Sequence, residues 1–165
     1  MAISLKSFAL FVAIILTGLS TGLFYAWMVS VIPGTRKVTD STYLESMQSI
    51  NRAILNPAFY LIFVGSPIAL VFSTVQQWKS GASFWFLLMA TLLYLVGTFG
   101  VTIWGNIPLN DALDALDLVE LHDDEKNKFR KAYEDKWNRW HWIRTIFSLL
   151  ALISSLLSVF IQLHH

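Results

Sequence analysis

Four runs of this chain, residues 8–32, 57–75, 84–104 and 141–163, are apolar almost throughout. A helix rises 1.5 Å per residue, so about 20 residues cross the ~30 Å hydrocarbon core of a bilayer. A soluble helix of that length keeps its apolar residues on one stripe, whereas these runs are apolar on every side. Lipid cannot satisfy backbone N–H and C=O groups, which leaves the helix as the form such runs take. The chain is therefore read as all-α, an integral membrane four-helix bundle forming one domain over residues 1–165. A hydrophobic content of 55% against 14% charged agrees with that reading.

The first run exceeds the h-region of a signal peptide, about 7–15 residues, and no small-x-small cleavage site closes it. The absence of cysteine removes disulfides, iron–sulfur clusters, thiolate metal sites and cysteine nucleophiles together. His164 and His165 have the form of a tag remnant. Charge is segregated along the chain. With four spans, the N-terminus, the 76–83 loop and the C-terminus share one side, which holds only Lys6 and Lys79 among lysines and arginines. The remaining cations cluster in the two longer loops, so the positive-inside rule predicts a multi-pass protein of the cell (inner) membrane with both termini outside.

Gly18, Gly22 and Ala26 recur at four-residue spacing in the first span, and Gly65, Ala69 and Ser73 repeat the device in the second. Small residues let backbones approach, so these two spans are expected to pack on each other; the same stripe as a seam between copies leaves a homo-oligomer open. Pro33-Gly34 is expected to end the first span, and Trp104 the third. Pro67 is expected to kink the second. Residues 42–55 read as a short amphipathic helix, capped by Thr42 with Glu45 and carrying Tyr43, Leu44, Met47, Ile50 and Ile54 on one side. A second amphipathic connector is expected where Asp111, Asp114, Asp117, Glu120 and Asp123 lie opposite Leu109, Leu113, Leu116 and Val119. From Asp124 onward there is neither glycine nor proline, which predicts a long, protruding last helix continuous with the fourth span.

The segment from Trp137 to Arg144 carries the chemistry. Trp137, Trp140 and Trp142 suit the membrane interface, where the ring is apolar and its N–H stays wet. Arg144 lies one turn further in, where an unpaired cation costs roughly 2.5–3.5 kcal/mol at a helix centre. Topology brings Tyr25 and Trp27, Asn51, Arg52 and Asn56, Asn106 and Asn110, and Asn138 and His141 with Arg144 to one membrane face. Two arrangements answer this. Either they form a polar pocket just inside the cytoplasmic interface, or Asn56 and Asn110 cap helices while Arg144 snorkels to headgroups. No carboxylate stands between Glu45 and Asp111 or beyond Asp135, which excludes a di-iron bundle and disfavours proton coupling through a buried acid. No Ser-His-Asp set, phosphate loop or HExxH zinc motif is present, and no metal or cofactor is expected.

Several stretches carry a family resemblance: residues 31–34, Met47-Gln48-Ser49-Ile50-Asn51-Arg52 through Asn56-Pro57, Tyr94-Leu95-Val96-Gly97 through Asn106-Ile107-Pro108-Leu109-Asn110, and Trp137 through Thr145. With these the chain resembles the bacterial branch of the anthrone-oxygenase-like membrane family, otherwise a domain of unknown function. It departs from that pattern at His141-Trp142, where the family carries Asn-His. The resemblance implies four spans and a remote link to oxygenases that oxidise polyketide anthrones without an obvious metal or flavin. The leading expectation is an enzyme on a hydrophobic aromatic or quinone-like substrate. In it, His141 and Arg144 act as catalytic cations, and Asn51, Arg52, Asn56, Asn106, Asn110, Trp137 and Trp140 bind the substrate. A non-enzymatic membrane subunit or scaffold is the alternative, and a small-molecule transporter the third. The expected partners are the lipid bilayer, a hydrophobic small molecule and another copy of the chain, not nucleic acid.

Overall fold

A computed structural model describes residues 4–163, so His164 and His165 lie outside the described residues. Five helices follow in order: α1 (Leu5–Thr35), α2 (Asp40–Ala53), α3 (Pro57–Gln76), α4 (Ala82–Asp114) and α5 (Asp123–Leu163). All but α2 are long and apolar enough to cross a membrane, which makes four candidate spans. α1 packs on α3 and α5, and α4 packs on the same two, closing an up-and-down bundle. α5 runs unbroken for 41 residues, about 60 Å, twice the hydrocarbon thickness. Its first half therefore stands outside the bilayer.

The interior is built from close approach more than from bulk. Ala13, Leu70, Ala90, Tyr94 and Ala151 form the central apolar cluster, and Thr17, Ser20, Ser66, Ser148 and Ser155 are fully buried around it. Hydroxyls tie the helices across that core, as Ser20 does with Tyr94 at 2.6 Å and Thr74 with Thr91 at 2.8 Å. At Gly97 the Phe147 ring fills the space a Cβ would need, and at Gly105 the Trp140 ring lies 2.6 Å from that position. These two glycines set how near α4 comes to α5.

The expected small-residue seam is half right. Gly65 meets Leu16 of α1 at 3.2 Å from a built Cβ, but Gly22 is exposed with nothing within 4 Å and Gly18 looks toward Leu152 of α5. The face of α1 that is buried carries Ala13, Thr17, Ser20, Thr21 and Phe24 instead. Size alone does not reveal facing, because threonine and serine approach a neighbour nearly as well as glycine.

Two expected helix ends are also corrected. α1 continues through Pro33 to Thr35, and α4 continues past Trp104 and through Pro108 to Asp114. In both, a π-helical stretch comes just before the proline, Trp27–Val31 in one and Thr102–Asn106 in the other. A proline ring clashes with the carbonyl four residues back, and widening the turn relieves that clash without ending the helix. Ile32 and Ile107 accordingly donate five residues back, to Trp27 and Thr102. Pro67 behaves as expected: α3 breaks at Val64, and the Phe63 carbonyl that Pro67 cannot serve accepts from the Tyr94 hydroxyl at 3.4 Å.

The connectors differ in kind. α2 starts at Asp40, two residues before the expected boundary, because Thr39 is the cap, accepting from the Thr42 N–H at 3.3 Å. The acidic connector is helical only to Asp114; residues 115–122 are irregular, and Asp117 accepts from the Val119 N–H in a local turn that competes with helix. Tyr43, Leu44 and Met47 of α2, with Leu113, Tyr133 and Trp137, form a second core outside the bilayer. Arg130 locks it. Its guanidinium donates to the carbonyls of Val38 (2.8 Å), Thr35 (3.2 Å) and Arg36 (3.3 Å), pairs with Asp40 and Glu134 at 2.9 Å, and lies 4.4 Å over the Tyr43 ring. The end of α1 is thus capped by a side chain from α5.

Candidate functional site

Where α1, α3 and α4 reach the α2 face of the bundle they do not close fully, and a cavity of about 500 Å³ remains. Its wall is mostly aromatic and aliphatic. Phe59, Phe63 and Phe99 form a ladder, stacked at 5.1 Å in each step, and Phe24 meets Phe63 edge-on at 6.2 Å. Ile50, Asn51 and Ile54 of α2 cover it, and Trp137, His141 and Arg144 of α5 form the opposite side. Arg52 and Asp114, joined as an ion pair between α2 and α4, stand at the mouth.

Arg144 is 8% exposed, and among the described residues no carboxylate pairs with it. Its Nε and Nη2 both donate to Nδ1 of His141, at 3.1 and 2.8 Å, and Nη1 reaches the Thr102 hydroxyl at 3.4 Å. Arginine has donors only, so His141 Nδ1 must be an acceptor and cannot carry a proton. The proton then sits on Nε2, which donates to the Phe24 carbonyl at 3.0 Å. That assignment follows from the hydrogen bonds alone. His141 is a neutral ring with both nitrogens occupied, stacked on Trp137 at 5.1 Å and 7°. Guanidinium faces are weakly hydrated, and this one lies against two rings, 4.6 Å over Phe24 and 5.3 Å over Trp137. Arg144 is therefore held by neutral acceptors and π faces, with its charge uncancelled at the cavity wall.

The residues singled out from sequence divide. Asn51, Arg52, Asn110, Trp137, His141 and Arg144 line the cavity together. Asn110 does not touch Arg144. Its Oδ1 accepts from Trp137 Nε1 at 2.7 Å and from the Tyr133 hydroxyl at 3.4 Å, while Asn51 donates to that same hydroxyl at 3.4 Å. Three residues stand apart from the cavity wall. Asn56 caps α3, accepting from the Phe59 N–H at 3.0 Å; Asn106 is buried and donates to the Trp137 carbonyl at 3.2 Å; Trp140 packs on Gly105. His141 positions Arg144 and is not a second cation.

Sequence reasoning passed over the ring contacts, Thr102 and the Phe24 carbonyl, and it placed Trp27 at this membrane face without a role. The Phe59–Phe63 step of the ladder was readable as an i, i+4 pair, and Trp137–His141 likewise. Thr102 and the Phe24 carbonyl had no readable signal, since their roles follow from π-helical register. Trp27 lines the cavity with its indole N–H buried and without an acceptor. Among the described residues no group of three His, Cys, Asp or Glu side chains lies close enough to hold a metal ion.

Fold and site together define a four-span helical membrane protein with a hydrophobic cavity at one interface and an unneutralised arginine in its wall. The chain belongs to the anthrone oxygenase family, which it matches over residues 48–154. That stretch carries every cavity residue except those of α1. No curated protein and no solved structure matches the chain.

Proposed function

We propose that the protein is a membrane enzyme that takes a flat, hydrophobic, anthrone-like or quinone-like substrate into this cavity and stabilises its oxyanion at Arg144. The observation that carries the reading is the charge of Arg144, which among the described residues has two rings and two neutral acceptors for company and no counter-ion. In a poorly hydrated site such a cation favours a ligand that brings negative charge, and more so as that charge develops. An anthrone loses a proton from its ring CH₂ to become an enolate, electron-rich enough to reduce dioxygen. Carried through, one dioxygen is consumed: one oxygen atom becomes the new ring carbonyl, and the other leaves as water with the two hydrogens. Within that sequence Arg144 holds the enolate oxygen, His141 and Thr102 hold Arg144, and Phe59, Phe63 and Trp137 clamp the rings. Asp111 and Asp114 are the carboxylates of the lining, and the proton leaves toward them. The excess of lysine and arginine in the two longer loops supports a mouth on the cytoplasmic side of the cell membrane.

The test is dioxygen uptake by the protein in lipid nanodiscs supplied with anthrone, followed with anthraquinone absorbance. Uptake above that of empty nanodiscs, equimolar with product and lost in Arg144→Met, is expected. Uptake equal to empty nanodiscs would leave a non-enzymatic membrane subunit as the better description.

A further inference from the structure

The cavity has an opening, and the residues along it say what it opens onto. On one side stand Leu55 and Tyr60, 61% and 48% exposed; on the other stand Ile103 and Ile107, 39% and 40% exposed. Tyr60 and both isoleucines belong to membrane-spanning helices, and Leu55 stands just before α3. A cavity meant for solutes from water would be rimmed by polar groups at such exposed positions. Here the exposed charged groups of the lining, Arg52, Asp111 and Asp114, gather at the upper end of the seam, where Arg52 and Asp114 bridge α2 and α4. Along this seam α3 breaks at Val64, its Pro57–Phe63 segment packs on α1, and Ile103 lies in the π-helical stretch of α4. Deeper down, Phe63 stacked on Phe99 seals the two helices again. At the far wall stand Arg144 and the Trp27 ring, whose own N–H is buried away from the cavity space.

We infer that the ligand of this site enters sideways from the bilayer, oxygen first, through the seam between residues 55–60 and 103–107. This rests on the reading above and narrows its substrate class to bilayer-dissolved flat hydrophobes with an acceptor oxygen at the leading end. Arg144 takes that oxygen, the phenylalanine ladder takes the rings, and the Arg52–Asp114 pair closes the seam against water.

Entry routes show in rates, because an obstacle in a passage slows arrival and departure alike and leaves affinity unmoved. The experiment is stopped-flow mixing of proteoliposomes with vesicles preloaded with 1,8-dihydroxyanthraquinone, read by the probe's own emission. Ile103→Trp and Leu55→Trp both narrow the seam with an apolar side chain at an exposed position. Each is expected to lower kon and koff together with Kd little changed. Val96→Trp, equally exposed to lipid but away from the cavity, is expected to leave both rates alone. Unaltered rates in both seam variants, a change confined to koff, or equal slowing by Val96→Trp would overturn the inference. A failure of the unaltered protein to bind the probe would instead count against the proposed function itself.

Discussion

Arg144 and His141 work as one unit, and the proton inventory explains why. A guanidinium needs acceptors, and an imidazole offers one only while neutral, so the pair is stable as cation and uncharged ring. Replacing His141 by phenylalanine keeps the stacking on Trp137 but leaves two guanidinium donors without an acceptor, at a cost of about 1–3 kcal/mol. A detergent melt of His141→Phe should fall accordingly, and an unchanged melt would mean that Arg144 finds other acceptors. Arg144→Lys should lose ligand binding nearly as fully as Arg144→Met, since one ammonium cannot span His141 and Thr102 while keeping contact with both rings. The buried arginine was legible in the sequence, because an arginine one turn inside a tryptophan girdle has few tolerable positions. Its partners were not. The asparagines brought to that depth serve Trp137, Tyr133 and helix ends, and the acceptor that mattered stood three residues away on the same helix. Asn110 and Arg144 consequently share no direct bond, and their substitutions should couple only through Trp137.

At the scale of the element, the spans were legible and their irregularities were not. Length and apolarity define four crossings, but ends were read at Pro33-Gly34 and at Trp104, where α1 and α4 widen into π turns and continue. Periodicity cannot show this, because a π turn leaves no mark in hydrophobic spacing. The consequence is functional, since the π turns set the Phe24 carbonyl and Thr102 toward α5. In α3 the break above Pro67 is repaired by Tyr94, whose hydroxyl also bonds Ser20, so Tyr94→Phe should cost about 0.6 kcal/mol for each bond lost and no more than about 1.7 for either, the measured range for hydrogen bonds between membrane helices. Packing gives a sharper contrast. Gly97→Leu must displace Phe147 from the α4–α5 contact and should cost about 1–3 kcal/mol or more, whereas Gly22→Leu should be tolerated, because nothing lies within 4 Å. Equal effects of the two in a thermal melt would show that the bundle packs on other faces.

For the whole molecule, one end of the bundle is fastened outside the bilayer and the cavity lies just beneath that fastening. Arg130 and Asp40 join α1, α2 and α5 there, a knot that sequence showed only as scattered charges, because its carbonyl acceptors carry no residue signature. The Asp40 carboxyl is held below the usual carboxylate range, first by the hydrogen bond from Asn127 and further by Arg130 and Lys131. A depressed carboxylate contributes its stability above its unfolded value, near about 3.9, and loses it as pH falls through the lower folded value. The melting temperature should therefore drop below about pH 4, and Asp40→Asn should flatten that part of the profile. The cover of the cavity, α2, depends on this knot, so ligand affinity should weaken over the same interval. The central claim is that Arg144 stabilises a bound oxyanion, and the most direct measurement is the ionisation of a coloured phenol inside the cavity. A hydroxyanthraquinone bound to the protein in nanodiscs is titrated by absorbance, and its phenol–phenolate midpoint is compared with that of Arg144→Met. A midpoint well below that of the probe in protein-free lipid, returning to the lipid value in Arg144→Met, is the predicted result; the same midpoint with and without the arginine would contradict the account.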